Sequence, residues 1–356
     1  MGKIRVLVVD DSVVIRRVVS EVLGDEPDIE VVGTASNGKI AIDRLTQVNP
    51  DLITLDVEMP ELDGLGALKQ IRKTHPRLPI IMFSALTEGG AEATLDALAL
   101  GASDYFTKPT SSGGLDESRE LIRKELIPAI KALCKDKIAS KLLPLPSRPV
   151  LSPTTASRSA RIDVVGIGVS TGGPNALAEL FQTLSAELPV PVLIVQHMPP
   201  MFTRLLAERL TATSRLPCEE ATTGVSLKAG RSWIAPGDYH MVVARQGTQQ
   251  SLMVNQDPPE NSCRPAADPL FRSMAKVYGP NCLAVVLTGM GQDGLRGCEQ
   301  IRAAGGQVIV QDEASSVVWG MPGCVARAGL ADKVLPLSMI GTEIVRRVAA
   351  SRDAGS

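Results

Sequence analysis

Apolar residues in the first third of the chain fall into short runs, Ile4–Val9, Val31–Ala35, Leu52–Asp56, Ile80–Ser84 and Tyr105–Thr107, separated by stretches with helical spacing. Short buried strands alternating with amphipathic helices predict a parallel sheet with crossover helices, here a flavodoxin-like α/β domain with a five-stranded parallel sheet over residues 1–134. From 135 to 161 the pattern stops. Pro144, Pro146, Pro149 and Pro153 stand among Ser140, Ser147, Ser152, Thr154, Thr155 and Ser157, a composition that buries no core and predicts a flexible linker. The alternation then resumes over 162–350. Val164–Gly168, Val192–Gln196, Leu283–Thr288 and Gln307–Gln311 read as strands, and Asn175–Ser185, Phe202–Leu210, Pro269–Tyr278 and Leu295–Ala304 as helices. This predicts a second, doubly wound, mainly parallel α/β domain. The turn-rich stretch Leu216–Val254 predicts further β-structure, such as a hairpin around Trp233-Ile234 and Met241–Val243.

Composition narrows the function. With 356 residues, 44% hydrophobic and 21% charged, the chain has enough apolar mass for two ordinary cores. A net charge of -2 and the absence of a Lys/Arg run argue against nucleic acid as a partner. No apolar run reaches membrane-spanning length, and Met1-Gly2-Lys3 leads straight into a strand rather than a signal peptide, so no membrane insertion and a cytoplasmic location are expected. The six cysteines lie scattered without metal-ligand or disulfide spacing. Only His75, His197 and His240 can supply an imidazole base.

In a flavodoxin-like sheet the crevice lies beyond strands one and three, which end in Asp10-Asp11 and Asp56. Three carboxylates in one crevice repel each other unless a cation intervenes, and oxygen ligands favour Mg²⁺. Lys108, closing the fifth run, adds a second positive charge. A carboxylate beside a dication and an ammonium can accept a phosphoryl group. Each aspartate alone reads equally as a solvated strand end. Together, Asp10-Asp11, Asp56-Val57-Glu58-Met59-Pro60, Asp63-Gly64, Ser84-Ala85 and Lys108-Pro109 resemble the response-regulator receiver family. The resemblance implies that Asp56 accepts phosphate from a histidine kinase. It also implies that Asp10, Asp11, Asp56 and the Glu58 carbonyl surround Mg²⁺, and that Ser84, Phe106 and Lys108 transmit the change.

In the second domain, Val164–Gly168 runs into Val169-Ser170-Thr171-Gly172-Gly173-Pro174, placing Ser170 on a strand-to-helix turn. Gly168-Val169-Ser170-Thr171-Gly172 matches G-x-S-x-G, in which the glycines allow a sharp turn and leave amides free for an oxyanion. The segment alone fits an N-capping serine as well. A dinucleotide loop is disfavoured, since Thr171 stands where its last glycine belongs. His197 closes the next strand on the same sheet edge, and the strand 283–288 leads into Gly289-Met290-Gly291-Gln292-Asp293-Gly294, offering a carboxylate to orient the imidazole. His240 is the competing base, in a turn-rich segment.

These segments, with Gln196-His197-Met198-Pro199 and Ala235-Pro236-Gly237-Asp238, resemble the chemotaxis methylesterases over 164–348. The resemblance implies a serine hydrolase that removes γ-methyl esters from glutamates of methyl-accepting chemoreceptors, releasing methanol. It assigns Ser170 as nucleophile, His197 as base, Asp293 as orienting carboxylate and the Met290 amide as oxyanion donor, with no cofactor in the esterase site. Some members also deamidate receptor glutamines. The resemblance also implies that the receiver regulates the esterase by packing over its catalytic face until phosphorylated. The chain departs from the family pattern at Val169, usually Ala, and around Cys263-Arg264-Pro265-Ala266-Ala267-Asp268. Two rivals stay open: a phosphorylation-gated binding protein without catalysis, and a generic esterase or peptidase with an attached receiver.

Overall fold

The computed structural model describes residues 2–108, 114–135, 161–247 and 249–353. The expected linker, apart from Lys135 and Arg161, and Pro109 of the Lys-Pro pair lie outside the described residues. The chain divides into two compact units, Met1–Ser147 and Arg148–Ser356.

In the first unit, β1 (Ile4–Val9), α1 (Val13–Gly24), β2 (Ile29–Ala35), α2 (Gly38–Val48), β3 (Leu52–Asp56), α3 (Gly64–Thr74), β4 (Ile80–Ser84), α4 (Glu88–Ala99) and β5 (Asp104–Thr107) alternate as expected. Helix α5 (Leu115–Leu121) continues through a π-helical turn, Ile122–Leu126, into α6 (Ile127–Leu133). Every strand pair is parallel, in the order β2-β1-β3-β4-β5. Strands buried on both faces read as the continuous apolar runs seen in the sequence. Polar caps mark the helix starts: Ser12, Asn37, Asp63 and Thr87 each accept a hydrogen bond from a first-turn amide.

The second unit runs β6 (Val164–Val169), α7 (Gly173–Phe181), β7 (Val192–Gln196), α8 (Phe202–Thr213), β8 (Cys218–Glu220), β9 (Ser232–Ile234), β10 (His240–Gln246), β11 (Gln249–Asn255) and α9 (Ala267–Tyr278). It continues with β12 (Cys282–Val286), α10 (Leu295–Ala303), β13 (Gln307–Gln311), α11 (Met321–Arg327), β14 (Lys333–Leu335) and α12 (Leu337–Asp353). Seven strands form one sheet in the order β14-β13-β12-β6-β7-β9-β8, all pairs parallel. The expected hairpin partner Trp233-Ile234 is instead β9, a parallel strand beside β7 and β8. The hairpin pairs β10 with β11, with Met241 opposite Val254 and Val243 opposite Leu252. Three-residue strands show no periodicity, so Trp233, fully buried in the main sheet, carried no signal of its partner.

The chain leaves the central strand β6 toward β7 on one side and returns through β12 on the other, a topological switch that opens a crevice at the carboxyl ends of these strands. Helix α9 closes one face. It approaches β6 closely because Gly166 and Gly168 lack side chains: a Cβ on Gly166 would lie 2.5 Å from Met274 Sδ, and one on Gly168 2.8 Å from Ala267 Cβ. Both glycines face the helix, at positions two apart on the strand.

This close contact predicts that Gly168→Val destabilises the second unit by about 1–3 kcal/mol through overpacking. Thermal unfolding followed by circular dichroism should show a fall in Tm of about 2–4 °C per kcal/mol; an unchanged Tm would mean that α9 does not depend on the glycine face.

Candidate active site and phosphoacceptor pocket

In the first unit the switch between β1 and β3 brings Asp10, Asp11 and Asp56 together, with carboxylate oxygens all within 4.8 Å of one another. A pocket of about 140 Å³ is lined by Asp11, Asp56, Val57, Glu58, Ala85, Gly90 and Lys108. Asp10 Oδ1 accepts from the Ser12 amide at 2.9 Å, and Asp56 Oδ1 from the Glu58 amide at 3.3 Å. Lys108 Nζ lies 2.9 Å from Asp10 Oδ2 and 2.7 Å from Asp56 Oδ2, close enough to offset charge but off the line of a directed hydrogen bond. Both oxygens are therefore buried without a directed donor, as ligands for a hard dication would be. Burial and the Asp10 charge, opposed by Lys108, raise Asp56 to about 6. Burial likewise raises Asp10.

Ser84 and Phe106 are engaged away from the Asp56 carboxylate. The Ser84 hydroxyl donates to the carbonyls of Ala85 (3.2 Å) and Gly90 (3.0 Å), at the start of α4. Phe106 is 4% exposed and packs on Phe83, ring centroids 5.0 Å apart, on the core face of β5. The neighbouring Tyr105 alternates to the opposite face.

In the second unit, Ser170 and His197 directly follow Val169 and Gln196, which are register partners in adjacent strands. The His197 amide donates to the Val169 carbonyl at 3.2 Å, the last rung of that ladder. Ser170 occupies a turn closed by its carbonyl accepting from the Gly173 amide at 2.7 Å. Gly172 supplies the left-handed conformation there, at φ 75°. The Ser170 amide is held by the Thr288 carbonyl at 3.0 Å, and Thr288 Oγ1 donates to the Thr171 carbonyl at 2.9 Å. The loop after β12 is pressed against the nucleophile, since a Cβ on Gly289 would lie 2.8 Å from Ser170 Cβ. Among the described residues, no acceptor takes the amide N–H of Met290 or of Thr171, which leaves both free for an oxyanion.

His197 Nε2 lies 2.8 Å from Asp293 Oδ2. With Nε2–H donating to the carboxylate, Nδ1 is the basic nitrogen. Ser170 Oγ makes no hydrogen bond to the ring; the contact a proton transfer needs tightens on substrate binding in many hydrolases. Asp293 is 1% exposed yet accepts three further hydrogen bonds: Ala267 N at 2.6 Å, Asp268 N at 3.1 Å and Asn261 Nδ2 at 3.0 Å. The two amides are the N-terminus of α9, whose dipole favours the anion. Burial works to raise Asp293, but His197 and these amides outweigh it and hold the carboxyl below its usual range. Burial alone would lower His197. Its bond to Asp293, aided by the adjacent Cys263 side chain, instead raises it.

His240 is no rival base. It is 1% exposed, its Nδ1 accepts from the Ala266 amide at 3.2 Å and its Nε2 lies 3.1 Å from the Pro258 carbonyl, so both nitrogens serve the fold. Asn261, Cys263 and Asp268 were missed as neighbours of the pair. Asp268 accepts from Asn261 Nδ2 at 2.9 Å and from Gly297 N at 2.6 Å. The only signal available was the departure of the segment around Cys263 from the family pattern.

Comparison with known proteins identifies the family of each unit. The CheB methylesterase family model matches residues 165–344, and the response regulator receiver domain model residues 6–119. The chain belongs to the CheB methylesterase family. It is 54% identical over 98% of its length, and all of the relative's, to a protein-glutamate methylesterase/protein-glutamine glutaminase of Trichodesmium erythraeum. It is 51% identical over 99% of its length, and 97% of the relative's, to the protein of that name in a Nocardioides species. The crystal structure of the Thermotoga maritima CheB methylesterase catalytic domain matches at TM-score 0.51 and 40% identity, covering 52% of this chain and 99% of that one. Among the described residues, no helix is long and apolar enough to cross a membrane.

The raised His197 fixes a pH dependence. With His197 as the base, the active form is its neutral imidazole, whose population grows as pH rises through its pKa, so kcat/KM should climb along a limb displaced above 6.5, the ordinary histidine value. Asp293→Asn removes the main influence raising it, so the limb should move to lower pH while the plateau falls by about 10²-fold or more. A pH–rate profile with an unmoved limb would detach Asp293 from the base.

Proposed function

We propose that this chain hydrolyses glutamate γ-methyl esters on methyl-accepting chemoreceptors, and deamidates receptor glutamines, under control of phosphorylation at Asp56. The observation that carries the esterase reading is the buried His197–Asp293 pair, 2.8 Å apart, at the sheet edge where the Ser170 turn ends β6. Ser170 Oγ attacks the ester carbonyl as His197 Nδ1 takes its proton. The oxyanion is met by the Met290 amide. His197 then protonates the departing methoxide, and water activated by the same nitrogen releases the glutamate and restores the serine. Asp293 keeps the ring in the tautomer this requires and stabilises its charged form without itself taking the proton.

In the receiver, Asp10, Asp11, Asp56 and the Glu58 carbonyl would hold Mg²⁺. The bound ion supplies charge neutralisation for phosphoryl transfer from a histidine kinase. Lys108 shares that task from its position between Asp10 and Asp56. Ser84 and Phe106 relay the change within the unit. The setting is the cytoplasm, where receptor tails and kinase meet.

Methanol release from methylated receptor membranes tests both units at once. Release stimulated by Mg²⁺ and a small phosphodonor is expected for the wild type, lost in Ser170→Ala and unstimulated in Asp56→Asn. Release that survives Ser170→Ala removes the nucleophile. Receptor binding without release identifies a binding protein, and hydrolysis of small activated esters without receptor hydrolysis identifies a generic esterase.

A further inference from the structure

We infer that Gln196 is a positioning residue that locks the nucleophile and the base into one frame, resting on the assignment of Ser170 and His197 above. Its side chain is 1% exposed, and its single Nε2 donates to two carbonyls: that of Ser170 at 3.1 Å and that of His197 at 3.3 Å. Those are the residues carrying the attacking oxygen and the accepting nitrogen. Both protons of the carboxamide are used on them.

The location matters because the β6–β7 ladder stops there. Val169 and Gln196 are the last register partners, and His197 N to Val169 O is the last backbone rung. Beyond it the two chains diverge, one into α7 and the other toward Met198-Pro199, and backbone pairing no longer fixes their separation. The Gln196 carboxamide supplies a side-chain rung one step further. On the other side of the turn Thr288 holds Ser170 to β12, so Gln196 completes the grip from the β7 side.

The acceptor end of the same group supports this reading. Gln196 Oε1 is buried and has no hydrogen-bond donor. It lies against Gly173, where an added Cβ would approach it to 1.9 Å, so the missing side chain at Gly173 makes room for the carboxamide. Turning the group over would aim Oε1 at two carbonyl oxygens, which fixes the amide orientation. An unsatisfied buried oxygen disfavours the fold, and an apolar residue of similar volume would avoid it. The two donated bonds are what such a residue would lack. A nucleophile and base displaced by about 1 Å lose about 10²-fold in rate.

The test uses the full-length chain with Mg²⁺ and phosphodonor, on methylated receptor membranes. Gln196→Met keeps length and removes both donors; Gln196→Glu keeps shape and sets a carboxylate against the two carbonyls. Gln196→Met is expected to lose tenfold or more in kcat, with KM for receptor, the pH limb and Tm unchanged; Gln196→Glu is expected to lose at least as much, with a lower Tm from its buried charge. Covalent labelling of Ser170 by a fluorophosphonate should slow in parallel. A folded Gln196→Met with kcat within twofold of wild type overturns the proposal. So does a loss confined to KM, or failure of both variants to fold, which would assign the carboxamide to stability alone. Ser170→Ala runs alongside: full activity there removes the nucleophile assignment itself, an outcome distinct from any behaviour of the Gln196 variants.

Discussion

The second unit is organised around one buried anion. Asp293 sits before α10 yet caps α9 through the amides of Ala267 and Asp268, while Asp268, in the first turn of α9, accepts from Gly297 in α10. Each helix is thus capped by a carboxylate belonging to the other's neighbourhood, and Asn261 bridges the two acids through one amide nitrogen. His197 is the remaining donor to Asp293, so the orientation of the imidazole follows from how two helices pack. That packing depends in turn on Gly166 and Gly168, which let α9 approach β6.

The first unit handles its negative charge differently. Its carboxylates cluster at the mouth of the sheet, where the amide of Ser12, the N-cap of α1, reaches Asp10 and the Lys108 ammonium just past β5 stands between Asp10 and Asp56. Asp56 is accordingly raised by burial and by Asp10, whereas Asp293 is lowered. Under the proposed roles, the acid that takes a dication and a phosphoryl group is left under-compensated, and the one that stays ionised through the reaction is saturated with donors.

Much of this was legible in the chain because a parallel sheet collects the carboxyl ends of its strands along one edge. Asp10, Asp56 and Lys108 in one unit, and Ser170 and His197 in the other, stand at or just past strand ends, and Asp293 follows in the glycine-rich loop after β12, so strand boundaries placed them along one edge. What was not legible came from short or irregular segments. Strands β8, β9 and β14 are three residues each, too brief for a period to declare them, and Trp233 therefore seemed part of a hairpin. Asn261 and Cys263 reach the His197–Asp293 pair from a loop, and no spacing rule links position 261 to 293. The engagement of Ser84 with Gly90 and of both His240 nitrogens with backbone groups likewise depends on local conformation invisible to pattern.

The donors around Asp293 are an imidazole, two backbone amides and a carboxamide, with no lysine or arginine among them. Mobile ions screen exposed charge pairs within about 8 Å at physiological ionic strength but penetrate a buried hydrogen-bonded cluster poorly. The Asp293 carboxylate is therefore insulated from the electrolyte. A change in ionic strength outside leaves its donors, and with them the orientation of the His197 ring, untouched.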